Sequence, residues 1–336
     1  MLMKNSYITP NQVNGMSLGD LRIAYLCPEG GPHLAHKPWI QNLSEFAVVT
    51  VIHVPHNILR RIFPSYILVN ERYDLTIADG FSTLPIGWLM KKARLTKKLA
   101  FITTSPALIR FPRFSLTLLK NVDLVIATSS LMFHVVRSLS FERQIIICHP
   151  IPELSDFLKI EPSLNSNRIC FVGSQVYLKG VDLLPEIIAK VRRKIKEAEV
   201  FVIGKGGMIR ESEGVRVFGY IPHEKRLSLL SLLSKCLIYL HPARFEAFGS
   251  SVVEAMAAGL IPIVTEMTGS KDLVKRVDPS LIVPLDVDAI SMKIVKVLSM
   301  DIREKEVLSR RAKKVAEEWS AKTKKIFIRG VAKVLQ

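Results

Sequence analysis

Short apolar runs rich in β-branched residues alternate along this chain with longer stretches whose apolar residues recur at helical spacing. Residues 21–27, 47–53, 75–78, 99–103, 124–127 and 145–148 read as strands, with helices over 39–46, 84–93 and 131–139 between them. The alternation pauses over residues 150–167, a stretch with proline, serine and asparagine but no clear period, which reads as an interdomain connection. It then resumes with strands at 169–172, 200–203, 215–218, 236–240, 261–264 and 281–283. Helices are expected over 181–195, 224–234, 250–258, 289–298 and 302–318, with a last one from 320 to 334. Alternation of this kind predicts an α/β protein with two parallel, doubly wound sheets covered on both faces. Ligands of such sheets bind outside the carboxyl ends of the strands, so the expected site is a cleft faced by the two halves.

Length and composition agree with two domains. The chain has 336 residues, 49% hydrophobic and 23% charged, which excludes disordered and fibrous classes. Lys and Arg number 47 against 30 Asp and Glu, a net charge of +17 that favours anionic partners. No uncharged apolar run reaches the ~18 residues of a membrane span, and the first twenty residues lack the apolar segment of a secretory signal. Cys27, Cys148, Cys170 and Cys236 each sit in or beside a strand-like run and form no C-x-x-C pair. Buried free thiols and a cytoplasmic location follow as expectations.

The most informative segment runs from His241 to Gly259, HPARFEAFGSSVVEAMAAG. Gly249, Ser250 and Ser251 open a helix there, where free backbone N–H groups can receive an anion. Glu246 lies in the loop before that helix and Glu254 about one turn inside it. Carboxylates beside a bound phosphate suit recognition of neutral hydroxyls, as on ribose or a hexose; alternatively, Glu246 caps the helix and Glu254 is merely solvated.

This segment resembles the Glu-x7-Glu signature of retaining GT-B glycosyltransferases, specifically glycosyltransferase family 4. Four further motifs fall in the same order: Phe171-Val-Gly173-Ser-x4-Lys179-Gly180-Val-Asp182, Val202-Ile-Gly204-Lys-Gly206, Val217-Phe-Gly219-Tyr220-Ile221-Pro222, and Val264-Thr265 with Gly269-Ser270. The resemblance implies two Rossmann-like domains: an acceptor domain over 1–160, a nucleotide-sugar domain over 161–318, and a C-terminal helix over 319–336 that crosses back to the first. It implies that Glu254 holds the ribose hydroxyls of a nucleotide-diphosphate sugar and that Glu246 contacts the transferred sugar. Lys179 would pair with the diphosphate and the N–H groups of Gly249, Ser250, Ser251 and Val252 would cap it, with Gly173, Ser174 and Gly204 also in the donor site and Tyr220 and Ile221 at the base. Gly30 and Gly31 would form the glycine turn of the first domain, with His33 beside it. No cofactor beyond the nucleotide-sugar co-substrate is implied, and fixed cations with amide donors would replace a metal at the leaving diphosphate.

Two departures stand out. Ser174 occupies the place of the family's usual arginine, for which Arg244 could compensate. No histidine follows the middle strand of the first domain, where Thr104 and Ser105 stand instead. Other signals point away from metal: Asp286-x-Asp288 precedes a helix and reads as its N-cap, and His33-x2-His36 and His53-x2-His56 have no companion ligand cluster.

Between residues 80 and 122 the chain carries eight bases and no acid: Lys91, Lys92, Arg94, Lys97, Lys98, Arg110, Arg113 and Lys120. Arg60 and Arg61 lie in an apolar run nearby. Bases interleaved with apolar residues suit an anionic membrane surface, with residues 58–68 as the inserting segment. No recognition motif supports nucleic acid as a partner. The expected activity is therefore transfer of a sugar from a nucleotide-diphosphate sugar to an acceptor hydroxyl, with retention. The expected acceptor is a glycan, a lipid or a lipid-linked sugar, reached from the cytoplasmic side of a membrane. A non-catalytic nucleotide-sugar-binding protein and a sugar-nucleotide epimerase are the alternatives.

Overall fold

The computed structural model describes residues 21–55 and 71–336. They divide into two compact units: the chain through Thr128 with Met132–Ile151 and Thr323–Gln336, and Ser129–Leu131 with Pro152–Lys322.

The first unit holds six strands: β1 (Arg22–Pro28), β2 (Val48–Val54), β3 (Tyr73–Asp79), β4 (Thr96–Thr103), β5 (Leu124–Ala127) and β6 (Gln144–Ile147). All pairs are parallel, in the order β2-β1-β3-β4-β5-β6. Ile23, Tyr25, Leu75, Ile77, Ala100 and Ile102 are buried on one face, against Trp39 of the helix Lys37–Ser44. Phe327 and Val331 close that core, and Phe327 stacks on Trp39 with ring centroids 5.1 Å apart. A β-branched strand buried on both faces needs helices above and below, which the intervening sequence supplies.

The second unit repeats the plan with β7 (Arg168–Val172), β8 (Glu199–Ile203), β9 (Val215–Gly219), β10 (Ile238–His241), β11 (Ile261–Thr265) and β12 (Ile282–Val283). Its order is β12-β11-β10-β7-β8-β9, again parallel throughout. The chain order therefore reverses between β7 and β10, which makes their carboxyl ends a topological switch point.

All six strands expected in each half are present, with ends shifted by at most a few residues. Three features differ from the sequence reading. The helices Ala107–Arg110, Pro112–Leu119 and Lys271–Val277 are additional; each is short, and proline or charge obscures its period. The stretch 150–167 is not a simple connection, because Leu154 and Phe157 are buried in the second core. Ile302–Leu335 is one helix of 34 residues, not two, since neither glycine nor proline interrupts it near Ser320. Its residues to Lys322 belong to the second unit and those from Thr323 to the first. The stretch 58–68, with Arg60 and Arg61, lies outside the described residues, as does His56.

All four cysteines are free and buried. Among the described residues, no helix is long and apolar enough to cross a membrane.

Candidate functional site

Loops from the carboxyl ends of β7 and β10 meet at the switch point of the second unit. After β7 the chain passes Gly173 and the exposed Ser174, then makes a 3-10 turn over Tyr177–Lys179. Gly180 follows in the left-handed region at φ 66°, ψ 19°. A Cβ there would stand 1.8 Å from the Pro242 carbonyl oxygen, so only glycine lets this turn lie against the β10 loop. The backbone N–H groups of Arg244 and Phe245 donate to the Leu178 carbonyl at 2.8 and 3.1 Å, which locks the two loops together.

Lys179 thereby reaches across Gly173, where a Cβ would meet its Nζ at 3.3 Å. Its ammonium stands 3.3 Å from the Glu246 carboxylate. The backbone of Glu246 is held as firmly: its N–H donates to the Met267 carbonyl at 2.9 Å, and its own carbonyl accepts from Gly269 at 2.8 Å. The Thr265 hydroxyl donates to the Ala243 carbonyl at 2.6 Å and braces the same loop.

Gly249 is the N-cap of the helix Ser250–Ala257, with the Glu246 side chain packed beside it. Gly249 brings no capping side chain to this helix, and of its first N–H groups that of Val252 donates to the Gly249 carbonyl at 3.0 Å, so an anion would be received by the N–H groups ahead of it. Val252 is buried, and Ser250 and Ser251 are partly exposed. Gly204 follows β8 and donates its N–H to the Gly219 carbonyl at 2.7 Å. Beyond β9, Tyr220 is 66% exposed and Ile221 partly so.

The two carboxylates have opposite electrostatics. Burial pushes the Glu246 carboxyl up, but the His241 ring and the Lys179 ammonium outweigh it and bring the pKa down to about 2. Burial pushes Glu254 up to about 7, with only partial relief from the Arg226 charge. Part of the Glu254 side chain still reaches solvent, but its carboxyl is densely surrounded by protein. Glu246 is thus a fixed anion at neutral pH, while Glu254 sits near its midpoint.

His241 is a site residue whose role the sequence pattern did not reveal. It is fully buried at the end of β10, stacked on Phe171 with centroids 5.8 Å apart. Its Nε2 stands 3.5 Å from the Glu246 carboxylate and is poorly aligned for a hydrogen bond. Its Nδ1 lies 3.4 Å from the Tyr239 hydroxyl, which is in turn 2.7 Å from Ser251 Oγ. The imidazole therefore joins Glu246 to the start of the Ser250–Ala257 helix.

Arg244 does not stand free. Its guanidinium makes two bonds to Asp182, at 2.7 and 2.8 Å, donates to the Tyr177 carbonyl at 2.8 Å and lies 3.6 Å from the centre of the Tyr177 ring. Its charge is used to shape the Lys179 turn. Asp286 caps the helix Val287–Leu298 by accepting from Ala289 at 2.8 Å, and Asp288 pairs with Lys190 at 2.6 Å. Among the described residues, no group of three or more His, Cys, Asp or Glu side chains is arranged to hold a metal.

In the first unit, Gly30 and Gly31 form the turn after β1, closed by the Gly31 N–H donating to Pro28 at 2.8 Å. His33 is exposed and accepts from the Ala35 N–H at 3.2 Å, so it caps the turn Leu34–His36. Thr104 and Ser105 follow the carboxyl end of β4. The sequence reading missed a buried cluster here: Asp79, ending β3, accepts from the Tyr25 hydroxyl at 2.9 Å and lies 2.9 Å from His36 Nδ1. The only sequence signal was an acid at the end of a run otherwise suited to burial.

Residues 155–315 match the family model described as Glycosyl transferases group 1. The phosphatidylinositol N-acetylglucosaminyltransferase GPI3 subunit of Saccharomyces cerevisiae is 31% identical over 172 residues, 45% of this chain and 37% of that protein. The uncharacterized glycosyltransferase YqgM of Bacillus subtilis is 23% identical over 225 residues, 60% of this chain and 61% of that protein. The chain thus spans less than two-fifths of the yeast relatives that it matches. Among solved structures, Anabaena Alr3699/HepE in complex with UDP and glucose superposes with a TM-score of 0.75 at 15% identity, covering 94% of this chain and all of that one. Sucrose-phosphate synthase from Thermosynechococcus elongatus gives 0.69 at 16% identity, covering 92% and 99%. The chain therefore has the two-domain α/β fold of GT-B proteins, and its match over residues 155–315 supports a glycosyltransferase.

Proposed function

We propose that this protein is a retaining glycosyltransferase that moves a sugar from a nucleotide-diphosphate sugar to a hydroxyl of a lipid or lipid-linked acceptor. The observation that carries the reading is the Lys179–Glu246 pair at the β7–β10 switch point, beside the uncapped start of the Ser250–Ala257 helix. An ammonium and free N–H groups suit the charge that develops on a departing nucleoside diphosphate. Glu254, in its ionised form, accepts from the ribose hydroxyls, and Glu246 accepts from hydroxyls of the transferred sugar. The second phosphate cation usual in family 4 is absent, because Ser174 replaces it and Arg244 is engaged by Asp182. Lys179 and the helix N–H groups therefore do that work alone, and the leaving phosphate takes the acceptor's proton. Gly30, Gly31, His33, Thr104 and Ser105 serve the acceptor side.

The lipid acceptor is supported by the yeast relative, whose name gives phosphatidylinositol as its substrate, and by the basic stretch over residues 80–122. The protein would then work at the cytoplasmic face of a membrane.

Two measurements test the reading. In a thermal-shift screen over UDP-, GDP-, ADP- and TDP-sugars, at least one donor raises the melting temperature of the wild type. With that donor, Glu246→Ala slows transfer by about a hundredfold while donor affinity changes little. No shift with any donor, or a wild-type rate in Glu246→Ala, defeats the assignment. Anomeric proton NMR of the product reads retention directly, and an inverted product overturns that part. We also expect turnover to persist in EDTA; loss of activity that Mn²⁺ or Mg²⁺ restores would show that a metal, and not Lys179, offsets the charge of the leaving diphosphate.

The Asp79–His36–Tyr25 cluster favours one second reading, a sugar-nucleotide epimerase using an acid–base pair in the first unit. Conversion of the donor to its epimer with no acceptor present would establish it in place of transfer.

A further inference from the structure

We infer that residues 109–114 form a membrane-contact element that seats the first unit on an anionic lipid bilayer. Between β4 and β5 the chain makes two short helices, Ala107–Arg110 and Pro112–Leu119, that bend at Phe111. Their inner side is built into the fold: Leu108, Ser115, Leu118 and Leu119 are buried, and the Ser115 hydroxyl donates to the Leu108 carbonyl at 3.0 Å. Their outer side is not. Ile109, Phe111 and Phe114 are 50, 51 and 51% exposed, and Arg110, Pro112 and Arg113 between them are exposed too. Three large apolar side chains in six exposed residues are far from the scattered singles of an ordinary soluble surface.

The neighbours extend this surface. Phe114 meets Phe81 edge-on at 6.2 Å, and the helix Leu84–Lys92 packs beside Pro112–Leu119. That helix adds the exposed Leu89, and Lys92 with its ammonium over the Trp88 ring. Arg110 similarly lies over Phe111 at 5.6 Å. Cations carried on apolar and aromatic surface are placed as interfacial residues are, with stems in the acyl boundary and charges among headgroups.

The charge identifies the occupant. Lys91 pairs with Asp123 and the exposed Lys97 with Asp74, so the charge of these two bases is offset within the fold. Among the described residues, no carboxylate pairs with Lys92, Arg94, Arg110, Arg113 or Lys120, and the chain has no acid from residue 80 to 122. A protruding apolar run inside a field of one sign matches an anionic bilayer, whose surface is apolar below and negative above. The element also follows Thr104 and Ser105 directly in the chain, so it would bring a membrane-anchored acceptor to the residues proposed to receive it. This deepens the lipid-acceptor reading, but the surface itself does not depend on sugar transfer.

Co-sedimentation of the full chain with vesicles tests it. The wild type binds phosphatidylcholine vesicles containing about 30% phosphatidylserine at low salt, binds pure phosphatidylcholine weakly, and releases as salt shortens the screening length. The triple variant Ile109→Ser, Phe111→Ser, Phe114→Ser and the double variant Arg110→Glu, Arg113→Glu each lose about tenfold or more in partition coefficient. All five positions are exposed, and an unchanged circular dichroism melt verifies folding. A charge-matched control in the second unit, Arg193→Glu with Lys194→Glu, keeps most of the binding. A wild type that ignores anionic vesicles at low salt overturns the inference, as does an equal loss in the control, which would mean diffuse attraction by net charge. Vesicle binding without transfer to any lipid keeps this surface and sinks the lipid acceptor; transfer to a detergent-solubilised lipid without vesicle binding does the reverse.

Discussion

Glu254→Gln melts at a higher temperature than the wild type at pH 8 and binds its nucleotide sugar more weakly. Burial raises the Glu254 pKa from 4.5 to about 7. Below pH 4.5 the carboxyl is protonated in the folded and the unfolded chain alike, and it adds no pH dependence. Between 4.5 and about 7 the unfolded chain has released a proton that the folded chain still holds, so stability falls as pH rises. Above about 7 both forms are ionised and the whole penalty is present, about 3 kcal/mol. The neutral amide removes that penalty, which corresponds to an upward shift of roughly 5 °C or more at pH 8. The advantage shrinks toward zero near pH 4.5.

The same carboxylate gives the reciprocal effect on the donor. In the proposed site the ribose hydroxyls donate far more strongly to the ionised form, so their binding would pull the proton off. Affinity for a nucleotide-diphosphate sugar, whose diphosphate diester does not titrate in this range, should then rise about tenfold per pH unit up to roughly pH 7 and level off. In Glu254→Gln that pH dependence disappears. Calorimetric melts from pH 5 to 8 and titration calorimetry over the same range provide both curves. A variant no more stable than wild type at pH 8, with an unchanged affinity profile, would mean that Glu254 is neither buried as an ion nor part of the donor site.

Gly180→Ala is the second large effect, and it acts on the site through the backbone. The residue is held at φ 66°, and an alanine Cβ would fall 1.8 Å from the Pro242 carbonyl oxygen. No side-chain rotation relieves a clash with a main-chain carbonyl, so one of the two loops must move. Either movement parts Lys179 from Glu246, because the turn carries one and the Pro242 loop the other. We expect a loss of roughly 3 kcal/mol or more in stability and loss of donor-induced thermal stabilisation. Gly30→Ala is the contrasting case: nothing lies within 4 Å of the place its methyl group would take, and melting and donor binding should match the wild type. A wild-type melt and donor response in Gly180→Ala would show that the two loops do not need this contact.

Much of the second unit was legible because its chemistry is local in the chain. β-Branched strands with a glycine at or just past their ends mark β7, β8 and β9, and Gly249-Ser250-Ser251 marks the start of the helix that would face the diphosphate. The short helices at 107–119 and 271–277 were not legible, since four to eight residues carry too little period to stand out from a loop. The single helix Ile302–Leu335 reads as two in the sequence because Ser320 has the composition of a helix start; packing against both cores overrides so weak a local preference.

The fold class, the two parallel sheets and the segments that carry the Glu-x7-Glu carboxylates follow from the order of residues along the chain. Those depend on the alternation of buried and exposed residues, which is written directly in the order of side chains. What each charge does was set by contacts made on folding. Arg244 was a free candidate in the sequence, but residue 182, sixty-two positions away, neutralises it. His241 gained its place only when Phe171 from the adjacent strand stacked on its ring, beside Tyr239 of its own strand, and set it against Glu246. Lys91 and Lys97 looked equivalent to Arg110 and Arg113 until Asp123 and Asp74 paired with the first two, whereas among the described residues no carboxylate pairs with the others. Pairing and desolvation are properties of neighbours in space, and the linear order of a chain does not state which residues those will be.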